Sequence, residues 1–256
     1  MEIYQHYRED ERPFIDQVFD WIDQVKSTYA YKLTDFLNPR EQEIVEQLVN
    51  YAGDVNAAFF GGIERAERKR GLIYPDYFKP EANDFGLRYF QLDYPVKFFE
   101  IGHRQLLGAL MGLGIKREKI GDLIIHGQAV QFVVASEIAE YVKLHLTSVD
   151  KAKVSIQEIE EHELFEPEED WKLFSGTVSS MRLDAVLAEI FKLSRAKAVS
   201  YIQKGYAKIN WKMIEQPAYE CSVSDTISLR GYGRAKLLAI EGKSKKGKWR
   251  IQYGKK

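Results

Sequence analysis

Cysteine is nearly absent: one residue, Cys221, stands in a chain of 256. A single thiol excludes an internal disulfide and any multi-thiolate metal site. Histidine is sparse as well. His6, His103, His126, His145 and His162 lie without an i,i+4 pair or a neighbouring cysteine, so no metal or cofactor is expected. Long apolar runs are also missing. The longest charge-free stretch, Leu123 to Ser136, is interrupted by His126, Gly127 and Gln128 and falls short of the roughly 18 residues a membrane span needs. Met1 to His6 offers no basic region ahead of an apolar core, so no secretion signal and a cytosolic, cytoplasmic location are expected. No fixed-period repeat is visible.

What the chain does contain is enough apolar material for several cores, 45% hydrophobic against 29% charged, over a length that suits two or three domains. Its formal net charge of −1 would by itself argue against a polyanionic partner. The charge is unevenly placed, however. Residues 171–256 hold 18 Lys and Arg against 6 Asp and Glu, a net of +12, which leaves −13 on residues 1–170. The run from Gln157 to Asp170 carries eight carboxylates in 14 residues around Pro167, and its self-repulsion predicts an extended acidic linker over 161–171.

Local patterns predict an α+β protein in three parts. Residues 1–80 read as a mainly helical domain. Phe14, Val18, Trp21, Ile22 and Val25 have helical spacing, and Asn38-Pro39-Arg40-Glu41 is a helix-start signal ahead of Ile44, Val45, Leu48 and Val49, with Gly53 as a stop. Phe59-Phe60-Gly61-Gly62 reads as a strand ending in a turn, and the basic cluster Arg65, Arg68, Lys69 and Arg70 as a solvated helix, with RNA or ribosomal-protein contact as the alternative. Residues 81–160 give strand, helix, two strands, helix, strand, the ferredoxin-like order that RNA-recognition (RRM-like) domains share with many unrelated proteins. Gly121-Asp122 reads there as a turn at a strand start, and Gly108, Gly112 and Gly114 as packing or terminating glycines. His103 beside Arg104 reads as a capping or packing histidine, with phosphate contact as the alternative. Residues 172–256 open with a helix carrying Val186, Leu187 and Ile190. A second helix, capped by Ser194, stops at Lys204-Gly205, and strands follow at 206–210, 226–230, 236–241 and 249–253.

The basic third also carries the candidate site. Arg182 precedes one helix and Arg195 opens the next, which concentrates guanidinium groups near two helix N-termini, where outward-facing N–H groups are expected. Arginine holds a phosphate with two parallel hydrogen bonds. Lys197, Lys204, Lys208 and Lys212 would extend the surface as point charges, with Arg230 and Arg234 joining from a later turn. Such a surface reads RNA shape and phosphates rather than base sequence. For Asp184 the structural role of fixing a helix start is the stronger alternative to RNA contact. The run Lys243 to Lys248 adds a further phosphate contact or a solvated turn.

The series Arg182-Leu183-Asp184, Leu187, Ser194-Arg195-Ala196-Lys197-Ala198, Ile202-Gln203-Lys204-Gly205, Lys208-Ile209-Asn210, Pro217 and Val223-Ser224-Asp225-Thr226-Ile227 resembles the S-four-type RNA-binding domain over about 50 residues. The usual Asn-Gly turn of that family is Asn210-Trp211 here, and Trp211 is either a core residue or an exposed stacking platform. Across nearly the whole chain, Phe60-Gly61-Gly62 with Ala66 to Arg70, His103, Leu107 to Arg117, Ile120-Gly121-Asp122 and Arg230-Gly231-Tyr232-Gly233-Arg234 resemble the bacterial YlmH family. That resemblance implies a non-enzymatic protein acting on the large ribosomal subunit, with ribosomal RNA and peptidyl-tRNA as partners. It also implies a role in quality control of stalled nascent chains, as for the small factor RqcP, whose arginine face Arg182 and Arg195 match. Ribosomal proteins or other quality-control factors are further candidate partners, and a monomer is expected. The rival expectation is a protein-interaction scaffold linked to cell division, with incidental RNA binding.

Enzymes that append the same module find no support. The only Arg-Leu-Asp, which pseudouridine synthases would need for catalysis, lies inside the binding domain. No parallel α/β pattern surrounds the synthetase-like Ile101-Gly102-His103-Arg104 and Lys243-Ser244-Lys245-Lys246. The glycines 108 to 114 sit on a helix rather than in a methyltransferase loop.

Overall fold

A computed structural model describes residues 7–166, 171–244 and 247–255, which fall in two compact units, 1–168 and 169–256. No helix among the described residues is long and apolar enough to cross a membrane.

In the first unit, α1 (Arg12–Thr28) starts with a proline in its first turn and buries Ile15, Val18, Ile22 and Val25. After β1 (Lys32–Leu37), Asn38 starts α2 (Pro39–Ala52). Its Oδ1 accepts from the N–H of Arg40 at 2.9 Å and of Glu41 at 3.1 Å, while the Glu41 carboxylate accepts the Asn38 N–H at 2.7 Å, a reciprocal capping box. Gly53, at φ 74°, ends the helix in the left-handed conformation. β2 (Asn56–Phe60) and β3 (Lys69–Tyr74) complete an antiparallel sheet in the order β1-β3-β2. The mainly helical domain expected over 1–80 is thus two helices with a three-stranded sheet. The strands are only five or six residues long, and β3 opens on Lys69-Arg70, which reads in sequence as surface charge.

The basic cluster corrects its expectation most clearly. Arg68 donates to the carbonyls of Ile120 (3.2 Å) and Phe36 (2.7 Å), and Arg70, only 4% exposed, donates to those of Thr34 (2.8 Å) and Gly86 (3.0 Å) and to the Glu137 carboxylate at 3.1 and 3.3 Å. Neither guanidinium lies on a solvated helix, and both are held by internal acceptors. Asp122, inside a strand rather than a turn, accepts the N–H groups of Glu67 (2.6 Å) and Arg68 (3.0 Å). Burial pushes its carboxyl above the usual range, against those two bonds.

The rest of the unit follows the expected alternation: β4 (Leu87–Asp93), α3 (His103–Gly112), β5 (Ile120–His126), β6 (Ala129–Ala135), α4 (Ala139–His145), a small hairpin of β7 (Ser148–Val149) and β8 (Ala152–Lys153), and β9 (Ser155–Ile159). The four long strands pair antiparallel in the order β5-β6-β4-β9. One face of this sheet, with Phe90, Leu92, Val130, Phe132 and Val134, packs on Leu106, Leu110 and Val142 of the helices. The opposite face, with Leu87, Val133 and Ala135, packs on Phe36 and Leu72 of the first sheet and on Phe85. The two parts expected as separate domains therefore share a core. Burial on both faces also explains why β6 reads as a near-continuous apolar run. Gly108 and Gly112 have open space where a Cβ would stand, so they do not serve close packing, while Gly114 is left-handed at φ 82°.

The acidic linker expectation also changes. After β9, residues Glu161–Glu163 form a short 3₁₀ turn, and Leu164 and Phe165 pack near Ile63, Ala66 and Ile124. The Gln131 amide donates to the Glu163 carbonyl at 3.0 Å and accepts the Phe165 N–H at 2.8 Å, and Phe165 stacks on His126 at 4.9 Å between ring centroids. The segment through 166 is thus part of the body. Its apolar pair outweighs the repulsion of its carboxylates, and residues 167–170 of the expected linker lie outside the described residues.

The second unit is a six-stranded antiparallel sheet with two helices. It comprises β10 (Lys172–Val178), α5 (Leu183–Ile190), α6 (Arg195–Gln203), β11 (Ala207–Ile209), β12 (Lys212–Met213), β13 (Thr226–Leu229), β14 (Gly233–Lys243) and β15 (Trp249–Lys255), in the sheet order β10-β15-β14-β13-β11-β12. Leu183, Val186, Leu187 and Ile190 of α5 and Ala198 and Ile202 of α6 meet Ile227, Leu229, Leu237, Ile251 and Tyr253 of the sheet in one core. β10, which the sequence did not announce, pairs along its whole length with β15.

Candidate nucleic-acid interface

Arg182 is the residue before α5, with extended backbone (φ −62°, ψ 141°). The helix start is pinned from outside. Leu183 N–H donates to the Tyr219 carbonyl at 2.7 Å, Asp184 N–H to that of Pro217 at 3.2 Å, and Cys221 N–H to that of Met181 at 2.8 Å. The first backbone donors of α5 are therefore occupied, which corrects the expectation that they face outward for a phosphate. At α6 the Ser194 hydroxyl accepts the Lys197 N–H at 3.2 Å, as a capping serine should.

Between the two helix starts sits Asp184, 3% exposed. Arg182 reaches its carboxylate through Nε at 3.2 Å and Nη2 at 3.4 Å, and Arg195 through Nε at 3.0 Å and Nη2 at 3.3 Å. The same carboxylate accepts the Ala185 N–H at 2.9 Å. Burial alone would raise the Asp184 carboxyl, but the hydrogen bonds from Arg195 and Arg182 and their charges outweigh it and hold it below the ordinary value. Both arginine side chains remain about half exposed, 43% for Arg182 and 51% for Arg195, so the cluster is buried at the carboxylate and open at the guanidinium groups.

The other candidate cations lie over aromatic rings or out in solvent. Lys197 Nζ is 5.6 Å from the Tyr201 ring and 5.8 Å from that of Tyr232, whose hydroxyls approach each other at 3.4 Å. Arg230 sits 5.5 Å from the Tyr206 ring, and Arg234 is at the same distance from Trp211. Lys204 and Lys208 are exposed, Lys208 on the outward face of β11, whereas Lys212 on β12 is half-buried. Lys243 covers Trp249 at 4.9 Å, while Lys245 and Lys246 of the terminal lysine run lie outside the described residues.

Trp211 is neither a buried core residue nor a bare platform, being half-buried with Arg234 near its ring. Asn210 and Trp211, at φ 49° and 64°, form the two-residue connection between β11 and β12 in the left-handed conformation that a glycine would take more readily. Asn210 supports the turn by donating to Asp225 at 2.8 Å and accepting the Thr226 N–H at 2.8 Å.

The structure thus brings Arg182 and Arg195 together through Asp184, whereas Lys197 and Lys204 stand on α6 and at its end, and Lys208, Lys212, Arg230 and Arg234 on or next to the strands. Sequence reasoning missed Tyr201, Tyr206 and Tyr232. The Lys197–Tyr201 pair, four residues apart on a helix, was the available signal. Among the described residues no group of three or more His, Cys, Asp or Glu is placed to hold a metal ion.

Comparison with known proteins adds three family-model matches: "YlmH, N-terminal" over residues 10–78, "Putative RNA-binding domain in YlmH" over 80–163 and "S4 domain" over 181–227. The chain is 47% identical over 252 residues to "Ribosome-associated protein quality control protein P2" of Bacillus subtilis strain 168, covering 98% of each protein. It is also similar to the solved structure of "Cell division protein ylmH from Streptococcus pneumoniae". That match has a TM-score of 0.58 and 28% identity, and it covers 64% of this chain and 99% of that one.

Proposed function

The chain belongs to the YlmH family and carries an S4 RNA-binding domain, and from this premise we propose that it grips structured RNA of the large ribosomal subunit through Arg182, Arg195 and the surrounding cations. It is a non-enzymatic, ribosome-associated quality-control protein. The observation that carries the finer reading is the Arg182–Asp184–Arg195 cluster, two half-exposed guanidinium groups fixed side by side within residues 171–256, whose net charge is +12. Paired guanidinium groups suit the closely spaced phosphates of a folded RNA. Lys197, Lys204, Lys208, Lys212, Arg230 and Arg234 add long-range attraction, and the −13 on residues 1–170 disfavours other orientations. In this reading the protein works as a cytoplasmic monomer where ribosomal RNA meets peptidyl-tRNA.

We read the middle part as ferredoxin-like and RRM-like, which its βαββαβ order and four-strand arrangement support. Its sheet face with Leu87 and Val133 is covered by the first sheet, so any RNA contact by this part uses its other surfaces.

The test is sedimentation of the full chain with purified large ribosomal subunits. If six to ten phosphates are gripped, affinity should fall on the order of 10³–10⁵-fold between 50 and 200 mM salt. The Arg182→Ala/Arg195→Ala double variant should fail to co-sediment at moderate salt, and co-sedimentation equal to wild type would overturn the assignment of this face. A scaffold reading, favoured only by the cell-division name of the Streptococcus pneumoniae protein, expects that equality.

A further inference from the structure

We infer that Asp184 is a positioning residue for RNA binding: a buried anion that tightens the grip on a polyanion by holding two arginines in phosphate-ready geometry. The inference rests on the reading of Arg182 and Arg195 as phosphate-gripping residues. Two features of the site require an explanation that a helix-start role does not supply. The helix start is already fixed by the carbonyls of Tyr219 and Pro217, and the one bond that the Asp184 carboxylate accepts from the Ala185 N–H does not call for two arginines beside it. A carboxylate that is 3% exposed is also costly to desolvate, and this one is bonded to the two guanidinium groups that are read as gripping phosphates.

The geometry supplies the compensation. Each guanidinium has five N–H donors, and Asp184 engages one on Nε and one on Nη2 of each arginine, at 3.0 to 3.4 Å. Three donors per arginine are left, two on Nη1 and one on Nη2, and in Arg195 Nη1 reaches the Ser179 hydroxyl at 3.4 Å. Fixing one edge of a planar fork fixes the opposite edges, so both remaining donor sets are oriented before RNA arrives. The charge between the two cations also relieves the repulsion that would otherwise drive them apart. Long side chains ordinarily lose rotamer freedom when they close on a ligand, and here that loss is taken during folding.

This makes a prediction whose sign opposes simple electrostatics. Asp184→Asn removes a negative charge from an RNA-binding surface. If charge alone governed binding, the variant would bind large ribosomal subunits more tightly. Positioning predicts weaker binding, by about tenfold or more, because charge-assisted hydrogen bonds to phosphate are lost when the forks swing free. It also predicts a salt slope shallower by one or two phosphate contacts, roughly 0.9 per contact.

Affinity of the full-length chain for purified large ribosomal subunits would be measured across 50–300 mM salt for wild type, Asp184→Asn, Arg195→Lys and Arg182→Ala/Arg195→Ala. Arg195→Lys keeps every charge and leaves Asp184 in place but replaces the fork with a point donor, so it tests the idea even if Asp184→Asn does not fold. It too should weaken binding. Nε–H resonances of Arg182 and Arg195 in the free protein, slow to exchange in wild type and averaged in Asp184→Asn, give a readout that fold stability alone does not move. Wild-type binding by the double alanine variant would defeat the RNA face itself. Weak binding by that variant, with equal or tighter binding by a folded Asp184→Asn or unchanged binding by Arg195→Lys, would defeat the positioning role alone.

Discussion

Arg70→Met should destabilise the first unit by about 2–4 kcal/mol, chiefly through buried hydrogen bonds left unmade. Arg70 donates to two carbonyls, of Thr34 and Gly86, and to both oxygens of Glu137. Methionine matches the bulk of the side chain but makes none of these bonds. A buried acceptor left without a donor costs about 1–3 kcal/mol; the Thr34 carbonyl bears that cost, and the Gly86 carbonyl a smaller one, because it keeps the Ser136 N–H at 2.8 Å. Glu137 contributes less, because its side chain is 41% exposed and keeps a second cation, Lys119 Nζ at 2.8 Å, which also reaches Asp35. Glu137→Gln alone should therefore cost only about 1 kcal/mol. Since the two residues touch, their effects should not add: Arg70→Met/Glu137→Gln should fall short of the sum by about 1 kcal/mol. The chain has two units, so a single unfolding free energy is not well defined for it. The appropriate assay is urea-dependent hydrogen exchange followed in peptides spanning residues 12–159. A cost below about 1 kcal/mol for Arg70→Met, or strict additivity in the double variant, would refute the view that this arginine holds the first sheet to the second.

Two further outcomes follow from titrating groups of the second unit. Cys221 is buried, and burial pushes its thiol up to about 12, with the Asp225 charge adding to the effect. At pH 8 the native protein should thus resist iodoacetamide and react quickly once unfolded in urea, and equal rates in the two states would show the thiol to be accessible. Asp184 has its carboxyl below the ordinary value, so the unfolded chain takes up its proton at higher pH than the folded one. Its stabilising contribution is complete above the usual carboxylate range near pH 4 and is lost as pH falls through the lower folded value. The acid limb of second-unit stability, followed by tryptophan fluorescence, should be flatter in Asp184→Asn, and superimposable limbs would contradict this.

The elements that sequence made legible are those whose signals are local. The Asn38 box, the Ser194 cap, the Gly205 stop at φ 70° and the His126-Gly127-Gln128 turn all lie where periodicity and end signals put them. Strands whose partners are distant were harder to see. β10 finds β15 more than 70 residues later, and β3 was masked by two basic residues, one of them buried. Charge misled in both directions, because Arg68 and Arg70 face internal acceptors and the acidic stretch hides the apolar pair Leu164-Phe165. At the site, helix starts located Arg182 and Arg195. Their common partner was not legible, because a carboxylate two residues from one arginine and eleven from the other meets both only once α5 and α6 are packed.

The sheet that is apolar on both faces bears on how this protein can be divided. Sequence families draw a border between residues 78 and 80, and a gene engineer would be tempted to cut there. Phe36 and Leu72 on one side of that border are packed against Leu87, Val133 and Ala135 on the other. A cut would leave two fragments, each with a greasy sheet face turned to water and each prone to clump. The border marks a change of pattern in the text of the chain, while the smallest piece able to stand alone extends across it. Evolution can therefore exchange the basic end, a unit with its own core, for another module more readily than it can trade either half of the acidic body.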